Sequence, residues 1–120
     1  MRESGEDYLE TIYLLSKKNS EVHAVDIANE LGFSKPSISK AMGILRTNGY
    51  IGIDECNHIR LTELGAAKAK EIYGRHQTIT EFWIMHGISP ENAAKDACRM
   101  EHDISDETYN CIKKIISNNQ

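Results

Sequence analysis

The sequence predicts a mostly α chain: an N-terminal winged helix-turn-helix with a small β-hairpin wing, followed by a second, helical domain. Apolar residues recur at three- and four-residue spacing through most of the chain. That period breaks once, at Tyr50-Ile51-Gly52-Ile53 and Ile59-Arg60-Leu61, two β-prone runs flanking the polar segment 54–58. Ser, Thr, Pro and Gly stand where helices must start and stop.

The first helix is expected from Ser4 to Lys18, with Ser4 as N-cap, Asp7 three residues on, and Tyr8, Ile12 and Leu15 as its apolar stripe. A short second helix runs from Ala24 to Glu30 and stops at Gly32. Ser34 caps a third, Lys35 to Asn48, which carries Pro36 in its first turn and turns Ile38, Met42 and Leu45 to the core. After the hairpin, Thr62 caps a long helix to about His86, stopped by Gly87. Ser89-Pro90-Glu91 opens a fifth helix to about Asp103, and Ser105-Asp106-Glu107 a sixth with Tyr109, Ile112 and Ile116 along one side. The expected domains are 1–61 and 62–120.

At 120 residues the chain can build a core without disulfides, and it is too short for the catalytic barrels of about 250 residues. No apolar run approaches the roughly 20 residues of a membrane span, and MRESGEDYLE has no apolar signal region, so a cytoplasmic protein without a membrane partner is expected. Cys56, Cys98 and Cys111 are an odd count without a CxxC pair, which suits free thiols in a reducing compartment.

Fourteen basic and 18 acidic residues leave a net charge of −4, which by itself weighs against a nucleic-acid partner. The charge is not evenly spread: residues 31–53 hold Lys35, Lys40 and Arg46 and no acid. In a helix-turn-helix the second helix of the pair enters the major groove. Here that helix opens with Ser34, Lys35, Pro36, Ser37, Ser39 and Lys40. Its short hydroxyls allow close approach to base edges and phosphates, and Lys35, Lys40 and Arg46 neutralise phosphates. Taken singly, Ser34 is a cap and the lysines a solvated face. The order of elements favours double-stranded DNA, with His58 and Arg60 of the wing as backbone contacts.

Cys98, Glu101 and His102 stand at i, i+3 and i+4 and share a helix face, offering a thiolate, a carboxylate and an imidazole to a divalent transition metal. Asp7 and Glu10 form an i, i+3 pair off the apolar stripe of the first helix, where acids also serve the helix dipole. His76 falls on the stripe Ile72–His76–Ile79–Trp83 and faces inward, as a core histidine would. Each alone has a structural explanation; three such faces in one small helical protein suggest one converging site.

Glu6–Leu15 (EDYLETIYLL), Val25–Ile51 (VDIANELGFSKPSISKAMGILRTNGYI) and Ala97–Glu107 (ACRMEHDISDE) resemble the diphtheria-toxin-repressor family of metal-dependent transcriptional regulators, and within it the manganese transport regulator branch. The resemblance covers about Ser4 to Ser117. It implies a homodimeric repressor that binds palindromic operators of metal-homeostasis genes when loaded with Mn(II) or Fe(II). It also implies that the second domain binds metal and dimerises. Asp7, Glu10, His76, Glu101 and His102 match ligands of the manganese branch. Cys98 departs from it and agrees with the iron-type branch, whose ancillary site lacks counterparts here because Thr80 and Ala94 stand at its positions. The implied ligand set is Asp7, Glu10, His76, Cys98, Glu101 and His102, for one octahedral ion or two ions sharing carboxylates. Its hard oxygens suit Mn(II) and its thiolate softer ions such as Fe(II). Metal would offset carboxylate repulsion, tie the first helix to the later ones and fix the two recognition helices of a dimer. The dimer is expected to form through the apolar surplus after Thr62, with Cys111 packed there as a small apolar residue.

Two other functions fit parts of this pattern. A small metal-dependent hydrolase would need a nucleophile–base pair, an HExxH or a phosphate loop, none of which is in the sequence, so no enzyme is expected. A winged-helix regulator of a non-metal ligand would leave Cys98, Glu101 and His102 as structure; operator binding that ignores chelators would favour it.

Overall fold

The computed structural model describes residues 3–118, with side chains from residue 5 onward. Six helices and one hairpin follow the expected order: α1 (Glu3–Lys18), α2 (Ala24–Leu31), α3 (Lys35–Thr47), β1 (Ile51–Ile53), β2 (Ile59–Leu61), α4 (Glu63–Met85), α5 (Pro90–Met100) and α6 (Asp106–Asn118). They form two compact units, residues 1–70 and 71–120.

In the first unit α1 already runs at Glu3, so Ser4 lies inside it instead of capping it, and the Ser4 side chain is outside the described residues. The buried face of α1 is Tyr8, Leu9, Thr11 and Ile12; Leu9 and Thr11 join the expected stripe, and Leu15 is only partly buried. The backbone N–H of His23 donates to Asp26 Oδ2 at 2.8 Å, fixing the start of α2, and left-handed Gly32 (φ 73°) ends it. Ser34 Oγ accepts from the Ser37 N–H at 3.4 Å, with Pro36 in the first turn of α3. Ile38, Met42 and Leu45 point from α3 into the core, as their spacing predicted.

The hairpin strands are antiparallel, with Ile51 opposite Leu61 and Ile53 opposite Ile59. Ile51 and Ile59 bury one face against Leu9, Ile12, Val22 and Ile27. The Ile59 N–H donates to the Val22 carbonyl at 2.7 Å, which holds the wing to the segment before α2. The first turns of α4 belong to this unit because they pack on it. Ala69 is buried in its core, Lys68 pairs with Glu6 at 3.6 Å, and a Cβ on Gly65 would stand 1.9 Å from the Tyr50 carbonyl oxygen. Only glycine permits that approach.

In the second unit the end of α4 packs with α5 and α6 through Ile79, Ala97, Ile112 and Ile116, flanked by Phe82, Trp83, Met100 and Ile104. Ser89 Oγ accepts from the Asn92 N–H at 3.3 Å and Ser105 Oγ from the Thr108 N–H at 3.1 Å, capping α5 and α6. Arg75 links α4 to the start of α6, donating to the Ile104 carbonyl at 3.2 Å and to Asp106. α5 stops at Met100, three residues before the expected end. Residues 101–103 close as a turn, with the Asp103 N–H bonded to the Met100 carbonyl at 3.0 Å.

In the single chain Cys111 is exposed, because position 111 falls to one side of the α6 face that Ile112 and Ile116 bury. Ile84 is 42% exposed, and with Met85 and Ile88 leaves an apolar cluster uncovered at the end of α4.

Candidate metal centre and nucleic-acid interface

Glu101, the first residue past α5, carries a fully buried carboxylate. Its Oε2 stands 2.8 Å from His76 Nδ1, on the middle of α4. Its Oε1 stands 3.3 Å from His102 Nε2, whose side chain is 1% exposed. That second contact is close enough for charge attraction but is not a hydrogen bond, and Oε1 is a buried oxygen with no hydrogen bond among the described residues. Leaving such an acceptor unmet costs about 1–3 kcal/mol, so a cation at this oxygen is a chemical fit. The spacings fit as well. Adjacent donors of an octahedral ion with bonds near 2.1 Å lie about 3 Å apart, and each oxygen of Glu101 makes one such edge with a different imidazole.

The other expected ligands are placed as follows. Asp7 and Glu10 lie one turn apart on α1, both half-buried. Cys98 lies on α5 three residues before Glu101 and is exposed. The second unit thus brings His76, Glu101 and His102 together and leaves Cys98 at its surface.

All the expected DNA contacts are exposed: Ser34, Lys35, Pro36, Ser37, Ser39, Lys40 and Arg46 around α3, and Arg60 on β2. Among the described residues no ion pair engages Lys35, Lys40 or Arg46. Ser34 Oγ donates to Ser37 Oγ at 3.0 Å, so the two hydroxyls are set as a pair. The wing is held by Asp54, whose Oδ1 accepts from the N–H groups of Cys56 and His58 at 2.9 Å each. Its Oδ2 faces the His58 ring at 3.2 Å and Arg60 Nε at 3.7 Å. The His58 N–H bond, aided by that of Cys56 and by the charges of His58 and Arg60, holds the Asp54 carboxyl below the ordinary carboxylate value. Arg60 is therefore partly committed to the wing's own turn, although its side chain stays 65% exposed.

The α2 start, α3 and the hairpin enclose a groove of about 570 Å³. His23, Gly43 and Asn57 line it and were not singled out in the sequence. Gly43, a glycine in mid-helix, was the one available signal. Among the described residues no helix is long and apolar enough to cross a membrane.

Comparison with known proteins agrees with this division of labour. Residues 1–59 match the N-terminal DNA-binding domain of the iron-dependent repressors, and residues 62–120 match their metal-binding and dimerisation domain. The transcriptional regulator MntR of Escherichia coli O157:H7 is 38% identical over 112 residues, covering 93% of this chain and 72% of the relative. The crystal structure of the metal-dependent transcriptional regulator MtsR superposes with a TM-score of 0.87 at 25% identity, and the manganese regulator SloR with 0.82 at 26%. Each comparison covers 94% of this chain and 53% of the solved one, so the chain spans about half the length of those structures.

Proposed function

The chain belongs to the iron-dependent repressor family, whose members are transcriptional regulators and not enzymes, and from that premise we propose a metal-dependent repressor that binds palindromic double-stranded DNA as a homodimer and controls metal-homeostasis genes. Glu101 is the observation that carries the metal: a buried carboxylate with an unmet oxygen, edged by His76 on one side and His102 on the other. The donor set is Asp7, Glu10, His76, Glu101 and His102, with Cys98 as the sixth and softest donor. Because the two oxygens of Glu101 face different imidazoles, Glu101 would serve two ions, with His76 contributing to one and His102 to the other. Three carboxylates among six donors favour Mn(II); Fe(II) is the alternative that the Cys98 thiolate supports.

A divalent ion supplies the positive charge that offsets the carboxylates. The chain's own residues do the rest. His76 and His102 orient Glu101, α3 presents Ser34 to Arg46 to the major groove, and the wing presents Arg60 to the backbone. Functionally the chain divides into residues 1–61 for DNA and 62–120 for metal and dimerisation. The uncovered Ile84, Met85 and Ile88 suit burial against a second copy. Dimeric repressors of this type read half-sites about 34 Å apart, or multiples of that, so fixing two recognition helices favours the operator complex.

Calorimetric titration of the metal-free chain with Mn(II), and with Fe(II) under anaerobic conditions, tests the proposal. Two ions per chain and loss of binding in Glu101→Gln are expected. Stoichiometric binding that survives Glu101→Gln unchanged would overturn it.

A further inference from the structure

Gly43 occupies the middle of the 13-residue α3, where glycine is among the poorest of helix formers. Nothing inside the protein asks for it. Its backbone is not left-handed, and a Cβ built on it meets no atom within 4 Å, in contrast to Gly65 against Tyr50. Packing within the chain therefore does not require glycine at position 43.

Gly43 lines the groove between α3 and the wing, next to Ser39 and Arg46, with Lys35 two turns earlier on the same side of the helix. Ile38, Met42 and Ile59 are its buried floor, and Asn57, held left-handed at φ 63°, stands on the wing side. No carboxylate lines it. Of the acids in the flanking segments, Asp54 and Asp26 are turned to partners of their own, Asp54 to the wing turn and Arg60 and Asp26 to the His23 N–H, while Glu55 on the wing is exposed and does not line the groove. Lys35 and Arg46 have no ion pair among the described residues. A groove with an apolar floor, two uncompensated cations on one wall and no acid is complementary to a chain of sugars joined by anions.

We infer that this groove seats one strand of the sugar-phosphate backbone of duplex DNA, and that Gly43 is the position of closest approach between α3 and that strand. The inference rests on the DNA-binding function proposed above and deepens it. Lys35 and Arg46 hold phosphates along the groove, while Gly43 lets the helix axis sit nearer to the duplex than any side chain would allow.

The discriminating variant is Gly43→Ala in the full chain. Alanine is the better helix former and meets no neighbour, so the melting temperature rises, by roughly 4 °C for a chain of this size. Against a duplex selected from random sequence by the Mn(II)-loaded wild type, affinity falls at least tenfold. The slope of log affinity against log salt stays unchanged, because no charge is lost. Arg46→Ala also weakens binding but lowers that slope by about one unit. Wild-type affinity in Gly43→Ala would overturn the inference while leaving DNA binding intact. So would a lowered melting temperature, which would mean that the fold itself needs glycine there. A wild type that selects no duplex removes the function and the groove's occupant together.

Discussion

Replacing Glu101 with Gln separates what this residue costs the metal-free fold from what it gives the loaded one. In the metal-free chain Oε1 is buried without a hydrogen bond. Gln has the same shape. Its carbonyl accepts from His76 Nδ1, and its NH₂, in place of Oε1, donates to His102 Nε2. Relieving one unmet buried acceptor returns about 1–3 kcal/mol. With an unfolding entropy of about 2.1 cal/mol/K per residue, a 120-residue chain shifts by roughly 4 °C per kcal/mol. Metal-free Glu101→Gln should therefore melt some 4 °C or more above metal-free wild type. Mn(II) at 100 times its dissociation constant stabilises wild type by about 2.7 kcal/mol, or roughly 11 °C, for each ion bound, and should leave the variant unmoved. Trp83 is the chain's single tryptophan, and its Nε1 lies 3.2 Å from Met100 Sδ beside Glu101, so its fluorescence follows this unit through a thermal scan. A variant that melts below wild type without metal, yet keeps the Mn(II) shift, would refute the reasoning.

Three further outcomes are expected. Lys40→Ala, at a position exposed and in no ion pair among the described residues, should weaken binding to every duplex alike and lower the salt slope by about one unit, as read by anisotropy across a salt series; an unchanged slope removes Lys40 from the interface. Asp54→Asn should loosen the wing, and because the folded Asp54 titrates below its unfolded value near 4, its stabilisation is present above that value and disappears as pH falls through the folded one. Urea midpoints of wild type and Asp54→Asn should accordingly differ at pH 7 and converge in strong acid, and a gap independent of pH would exclude the charge as its cause. Cobalt-loaded wild type, anaerobic and reduced, should show an intense near-ultraviolet thiolate band that Cys98→Ser lacks; bound cobalt without that band removes Cys98 from the donor set.

The helices and the hairpin were legible because period and punctuation agree. Ile38, Met42 and Leu45 share a helical face, and Ser34, Gly32 and Ser89 sit at real ends. Errors arose where tertiary packing decides. Leu9 joins the α1 core face because the hairpin covers it, and α5 ends at Met100 because residues 101–103 turn to place Glu101 and His102. The second unit's site was readable as residue types, Glu101 and His102 in one turn and His76 on an inward stripe. The two-edged use of the Glu101 carboxylate was not, since spacing cannot say which oxygen meets which imidazole. The Asp54 turn also lay beyond sequence reasoning. It depends on two backbone N–H groups converging on one oxygen, in a turn that passes through left-handed Asn57.

Metal-controlled DNA binding is the central claim, and one titration tests it most directly. A duplex selected from random sequence by the Mn(II)-loaded chain is held at fixed concentration with the metal-free protein, and its fluorescence anisotropy is followed as Mn(II) is added and then removed by a chelator. Allosteric couplings of about 1–3 kcal/mol correspond to affinity changes of 5- to 150-fold. A rise in affinity of at least that lower size on adding Mn(II), reversed by the chelator, is the predicted result. Equal affinity for the selected duplex before metal, with metal and after chelation would contradict it.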